Sequence, residues 1–249
     1  MRLAALLLCL AAPALADTSA DIVILGEVHD NADAHLGQAD AIRDLRPTAV
    51  VFEMLTAEDG AKADADRDAI TQIWQTANWP DFSLYAPIFD ALGEARIVGA
   101  AAPRETVRAV YSDGAAALFG PDAARFGLDE ALPDDQQKAR EQMQFAAHCE
   151  AMPLEMMGGM VDVQRYRDAV FARAALDALE RFGPPVAVIA GNGHARTDWG
   201  IPAMIARAAP DVTTRAIGFV EGSTDMPFNE IRTVPPAKRD DPCKQLTSN

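Results

Sequence analysis

Two apolar runs in this sequence stop at the same short pattern. Ile22, Val23, Ile24 and Leu25 lead into Gly26-Glu27-Val28-His29, and residues 186–190 lead into Gly191-Asn192-Gly193-His194. The chain holds only four histidines (His29, His35, His148 and His194), and two of them stand at equivalent places after predicted strands. Glu53 follows a third apolar run, 49–52. Glu27, His29, Glu53 and His194 together supply the nitrogen and carboxylate donors that a divalent ion needs, with a spare carboxylate as general base on bound water. Charged groups are costly inside a sheet, so a shared site is expected at its carboxyl edge, where open α/β sheets place ligands. His29 and His35 are six residues apart, which rules out the one-face geometry of a helical zinc motif, and His35 is expected either to cap a helix or face the surface, or to reach the cleft above the strand ends.

The elements that must carry these groups can be read from periodicity. Strands are predicted over 22–25, 49–52, 97–100, 186–190 and 212–220, with a weak last one over 230–234. The unbroken β-branched runs are those of strands buried on both faces, as in a parallel sheet. Helices are predicted over 33–45, 58–77, 82–92, 134–149, 161–182 and 203–209. Asp64, Asp66, Arg67 and Asp68 read as a solvated face, and the cluster Trp74, Trp79, Phe82, Tyr85, Ile88 and Phe89 as core. The fold class is α/β, a mostly parallel sheet flanked by helices with an inserted helical subdomain. Its core comprises 17–104 and 183–234, the inserted layer 105–182, and the tail 235–249. Arg104, after the third strand, places a cation beside the acidic edge, to hold a carboxylate or balance Glu53. Met152, Met156, Met157 and Met160 offer soft ligands for cuprous copper, though adaptable packing is the ordinary role of such a cluster.

A chain of 249 residues is long enough for one sizeable core. Arg2, the apolar run 3–12 and Ala14-Leu15-Ala16 have the pattern of a secretory signal cleaved after Ala16, so a periplasmic or otherwise exported protein is expected. Leu8 before Cys9 does not suit a lipid anchor. Cys149 and Cys243 then remain, an even number, and an oxidising compartment would allow them to pair. A formal net charge of −15 argues against nucleic acid as a partner.

The ordered motifs resemble the ChaN-like haem-binding proteins of bacterial iron uptake, within the wider Tiki and erythromycin-esterase superfamily. The resemblance is carried by Leu25-Gly26-Glu27-Val28-His29-Asp30-Asn31 with His35 and Gln38, Phe52-Glu53-Met54, and Trp79-Pro80 with Tyr85 and Pro87. It continues through Pro103-Arg104, His148-Cys149, Met152-Pro153, Gln164 with Asp168, and Gly191 to Arg196 with Gly200-Ile201-Pro202. The resemblance implies an exported, non-catalytic haem-binding protein, with a homodimer and outer-membrane haem-uptake machinery as partners. Haem requires an axial ligand, apolar walls and cations for two propionates. Tyr85, Tyr166, His29 and His194 are the candidate ligands, Trp79, Met156 and Met160 the walls, and Arg104 and Arg196 the propionate partners. The alternative is a metal-dependent hydrolase like other branches of the superfamily, with Glu27 and Glu53 as its catalytic carboxylates. Ala100-Ala101-Ala102 stands where relatives tend to carry an asparagine.

Overall fold

Five largely apolar runs and one mixed one become strands: β1 (Ile22–Glu27), β2 (Ala49–Thr56), β3 (Arg96–Ala101), β4 (Val186–Gly191), β5 (Thr214–Glu221) and the mixed β6 (Glu230–Val234). The computed structural model describes residues 20–77, 79–241 and 243–244, so the expected leader 1–16 lies outside it. Between and after the strands run α1 (Ala32–Leu45), α2 (Ala57–Ala65), α3 (Ile70–Ala77), α4 (Phe82–Ala91), α5 (Arg104–Asp113) and α6 (Ala115–Phe119). They are followed by α7 (Asp134–Ala147), α8 (Met157–Phe182), the single turn α9 (Asn192–Ala195) and α10 (Ile201–Ala208). All strand pairs are parallel, in the order β3-β2-β4-β1-β5-β6.

This order decides where the helices go. Parallel crossovers are right-handed, so a chain that reverses direction across the sheet must change face. From β1 to β3 the chain moves one way, and α1, α3 and α4 cover one face around Val23, Leu25, Val50 and Phe52. From β3 it returns to insert β4 between β2 and β1, and α5, α6, α8 and α10 cover the other face around Ile22, Ile24, Val51 and Val188. Residues 105–182 therefore supply much of one flanking layer, with α7 packed outside on α8. The two acidic strands β1 and β2 are not neighbours, as β4 lies between them.

The helix predicted over 58–77 is divided. Asp66 caps a 3-10 turn at Arg67–Ala69 by accepting from the Asp68 N–H at 3.1 Å, and α3 starts afresh beyond it. Asp64 is more than solvated surface: it accepts from Arg96 Nε at 3.0 Å and from the Ile97 N–H at 2.9 Å, tying α2 to edge strand β3.

Gly26 is required by packing. It pairs with Ala190 on one side and Gly218 on the other. A Cβ there would lie 2.4 Å from Asn192 Oδ1 and 2.8 Å from the Ala195 Cβ. Gly26→Ala is expected to cost about 1–3 kcal/mol by overpacking, read as a fall in the urea midpoint with the slope unchanged.

Past β6 the tail is pinned by Glu221. Its carboxyl is held down at about 2, chiefly by Arg239, with the Ala237 N–H and Asn31 adding to this against the effect of burial. A depressed acid stabilises the fold above its unfolded value and stops doing so as pH falls through the folded value. Amide exchange of residues 235–241 is therefore expected to accelerate as pH falls from 4.5 towards about 2, once corrected for the intrinsic rate.

Candidate functional site

Strand alternation sends the two carboxylates to opposite faces. Glu27 continues the row of Val23 and Leu25 towards α1 and α4, and Glu53 continues the row of Ala49 and Val51 towards α8. Both are 2 % exposed.

Glu27 is the hub of a buried cluster. Its Oε1 accepts from the Tyr85 hydroxyl at 2.6 Å and pairs with His29 Nδ1 at 2.7 Å. Its Oε2 lies 3.3 Å from His35 Nε2, a close approach whose angles do not make a hydrogen bond. His35 is thus neither a cap nor a surface group: it is fully buried and stacks on Tyr85 at 4.1 Å between ring centroids. Helix α1 brings it there, while Asn31 caps that helix by accepting from the Ala34 N–H at 3.0 Å. Gln38, one turn further, donates to the Leu25 carbonyl at 2.9 Å. Burial pushes the Glu27 carboxyl up, but His29 and His35 outweigh it and hold it at about 2. Burial lowers the His29 imidazole, yet the bond to Glu27 and the charges of Glu53 and Glu27 leave it raised overall. Burial, followed by the Glu27 charge, pushes the Tyr85 phenol far up, so its ionised form is strongly disfavoured.

Glu53 forms a second centre. Its Oε2 accepts from the Gly191 N–H at 2.7 Å, and its Oε1 takes a short hydrogen bond from Arg167. The same Oε1 faces His194 Nε2 at 3.6 Å and His29 Nε2 at 4.0 Å, so both Gly-x-x-His motifs converge on it. Burial raises the Glu53 carboxyl and the charges of His194, Arg167 and His29 more than reverse that, leaving it lowered. His194 Nδ1 in turn donates to Asp168 Oδ1 at 2.6 Å, and the Gln164 side-chain amide packs against the same nitrogen at 2.9 Å. Gly191 leaves room for the His29 ring, since a Cβ there would lie 3.0 Å from its Nε2. Among the described residues no group of three or more His, Cys, Asp or Glu side chains is arranged to hold a metal ion.

Two clefts open along this edge. One, of about 770 Å³, lies over the ends of β2 and β3, lined by Glu53, Trp79, Arg104, Arg108, Arg167 and Phe171 among others. The other, of about 530 Å³, lies over β4, β1 and β5, lined by His29, Gln164, His194, Val220, Glu221 and Met226 among others. Trp79 touches His29 edge-on at 4.9 Å, and Phe171 meets His194 in the same way at 4.9 Å.

The remaining candidates divide. Arg104 is exposed on the rim of the first cleft, and Arg167 takes the role of balancing Glu53. Arg196 is buried, forked onto Asp198 at 2.6 and 2.8 Å, and stacked 3.7 Å over Trp199. Tyr166 lines a separate groove of about 390 Å³ with Arg173 and Arg181. Met157 is buried and Met156 exposed. Arg167 was not singled out by sequence reasoning. The available signal was the stripe Gln164, Arg167, Asp168 and Phe171 along one face of α8, a polar patch within an otherwise packed helix.

Residues 15–205 match the family model described as haem-binding uptake, Tiki superfamily, ChaN. Among solved structures, one described as cofacial heme binding to ChaN of Campylobacter jejuni superposes with a TM-score of 0.62 at 20% identity, covering 83% of this chain and 84% of that one. A succinoglycan biosynthesis protein matches at 13% identity over 80% of this chain and 65% of its own, with a TM-score of 0.44. The type III effector HopBA1 matches at 14% identity over 87% and 88%, also with a TM-score of 0.44. No protein of curated function matches the sequence.

Proposed function

We propose that this chain, which belongs to the ChaN family of haem-binding uptake proteins in the Tiki superfamily, is a non-catalytic haem carrier whose axial ligand is His29. The observation that carries this reading is the state of that imidazole. Its side chain is 36% exposed, against 6% for His194 and 0% for His35. Its Nδ1 is tied to a buried carboxylate, the arrangement that fixes the tautomer and strengthens Nε2 as a donor to a metal.

The rest of the edge fits a haem. Beside His29, Trp79 offers a flat apolar wall, and Arg104 and Arg108 place guanidinium groups on the rim of the adjoining 770 Å³ cleft for propionates. Haem when bound supplies an iron centre with open axial positions; the chain supplies the imidazole, the wall and the cations. Tyr85 is spent on Glu27, and Tyr166 lies on another groove. Export to the periplasm, a homodimer and exchange with outer-membrane uptake machinery belong to the same proposal, resting on the leader pattern and the family.

Titrating the purified protein with haemin while following the Soret band tests it, with metal analysis on the same sample. A saturable red-shifted band is expected. A flat titration with stoichiometric divalent metal would sink the carrier reading.

A further inference from the structure

The chain beyond β6 crosses the carboxyl edge of the sheet. The Pro235 carbonyl accepts from Asn31 Nδ2 at 2.8 Å, and the Ala237 N–H donates to Glu221 Oε1 at 2.9 Å. Arg239 then ties Glu221, which lines the 530 Å³ cleft, to the turn after β1. Its Nε donates to Asp30 Oδ2 at 2.6 Å, next in sequence to His29, and its Nη atoms donate to Glu221 at 2.8 and 2.6 Å. Beyond it, Cys243 is bonded to Cys149, just past the end of α7, across a sequence separation of 94. Helix α7 packs on α8, which carries Gln164 and Asp168 to His194. The tail is thus fastened to the turn after β1, to the end of β5 and to the α7–α8 pair, which bring His29, Glu221 and Gln164 to the cleft.

The fastenings differ in strength. The Arg239 side chain is 31% exposed, and such ion pairs hold weakly. The disulfide is the firm restraint. The turn presenting Cys149 is costly in itself, because Cys149 and Glu150 have φ of 57° and 56°, in the left-handed region that disfavours side chains. It is held by the Cys149 N–H on Ala146 at 3.0 Å and the Glu150 N–H on Phe145 at 2.9 Å.

We infer that the tail over 235–241, locked by the Cys149–Cys243 disulfide, is a strap that braces the His29–His194 cleft and slows escape of its ligand, and that a dithiol reductant unlocks it. The exchange balances: the dithiol gives two electrons and two protons, the Cys149–Cys243 bond becomes two thiols, and the dithiol closes to its own disulfide. The inference rests on the haem reading only for the identity of the ligand retained.

The test compares the oxidised protein, the dithiol-reduced protein, Cys243→Ser and Arg239→Ala by hydrogen exchange without ligand and by haemin transfer to excess apo-globin. Reduction and Cys243→Ser are each expected to speed exchange at residues 28–31, 221 and 235–241 and to accelerate haemin release about tenfold. Cys243→Ser should be indifferent to the dithiol, and Arg239→Ala should loosen the same residues with the disulfide intact. Unchanged exchange at 28–31 and 221 after the mass confirms loss of the disulfide would overturn the strap. Failure of the oxidised protein to bind haemin would overturn the haem reading alone, because hydrogen exchange decides the brace without a ligand.

Discussion

His29→Ala is expected to weaken haemin binding by more than about 100-fold, since losing even an outer partner of a metal-bound imidazole costs about 10- to 100-fold. The effect should fall chiefly on binding, with a smaller loss of stability, because the ring is partly exposed and Glu27 still accepts from Tyr85 and has His35 beside it once the imidazole is gone. His194 stands as the contrast. Its side chain is 6% exposed and its Nδ1 is held by Asp168, so His194→Ala strips a partner from a buried carboxylate and should lower stability before it touches haemin. Tyr166→Phe should leave haemin binding unchanged, because Tyr166 lines a different groove. Tyr85→Phe should weaken it modestly by removing one donor from Glu27. Soret titrations of the four variants beside urea curves separate these outcomes. Retained affinity in His29→Ala with a loss in Tyr166→Phe would move the site to the α8 groove.

The contrast between His29 and His35 shows how far the sequence could be read. Strand ends announce themselves, because an apolar β-branched run that stops at Gly-Glu-Val-His has nowhere to put its charge except the edge. Both Gly-x-x-His motifs do meet there, at Glu53. Which strand lies between which is not written locally. Insertion of β4 between β1 and β2 brings Gly191 to Glu53 and turns residues 105–182 into a flanking layer. His35 has the spacing of a helix surface group, and its burial depends on α4 arriving with Tyr85, 50 residues on. Arg167 was hidden for the same reason. A guanidinium on a 26-residue helix reads as solvated until the strand opposite it proves to end in a carboxylate. Cys149 and Cys243 were legible as a pair only on the expectation of a cleaved leader, which would leave two cysteines, and their bond closes across 94 residues of chain.

Glu27→Ala should have the largest effect on the fold, a loss of about 3–5 kcal/mol, the range for removing one member of a buried charged cluster. Three groups depend on this carboxylate. Tyr85 would keep a buried hydroxyl with the longer contacts to the His29 carbonyl at 3.2 Å and to His29 Nδ1 at 3.5 Å left to receive it. His35, with neither ring nitrogen hydrogen-bonded, would lose the one acidic group beside it. His29 would lose the acceptor that fixes its tautomer. Glu27→Gln separates shape from charge, because an amide oxygen can still accept from Tyr85 and His29 while the amide nitrogen faces His35. It should recover most of the stability and yet bind haemin more weakly than the native chain, since a neutral acceptor makes His29 a poorer donor to iron. Urea denaturation at neutral pH and Soret titration of both variants give the two quantities. If Glu27→Gln matched the native affinity, the carboxylate would be a packing element and His29 would owe nothing to its charge.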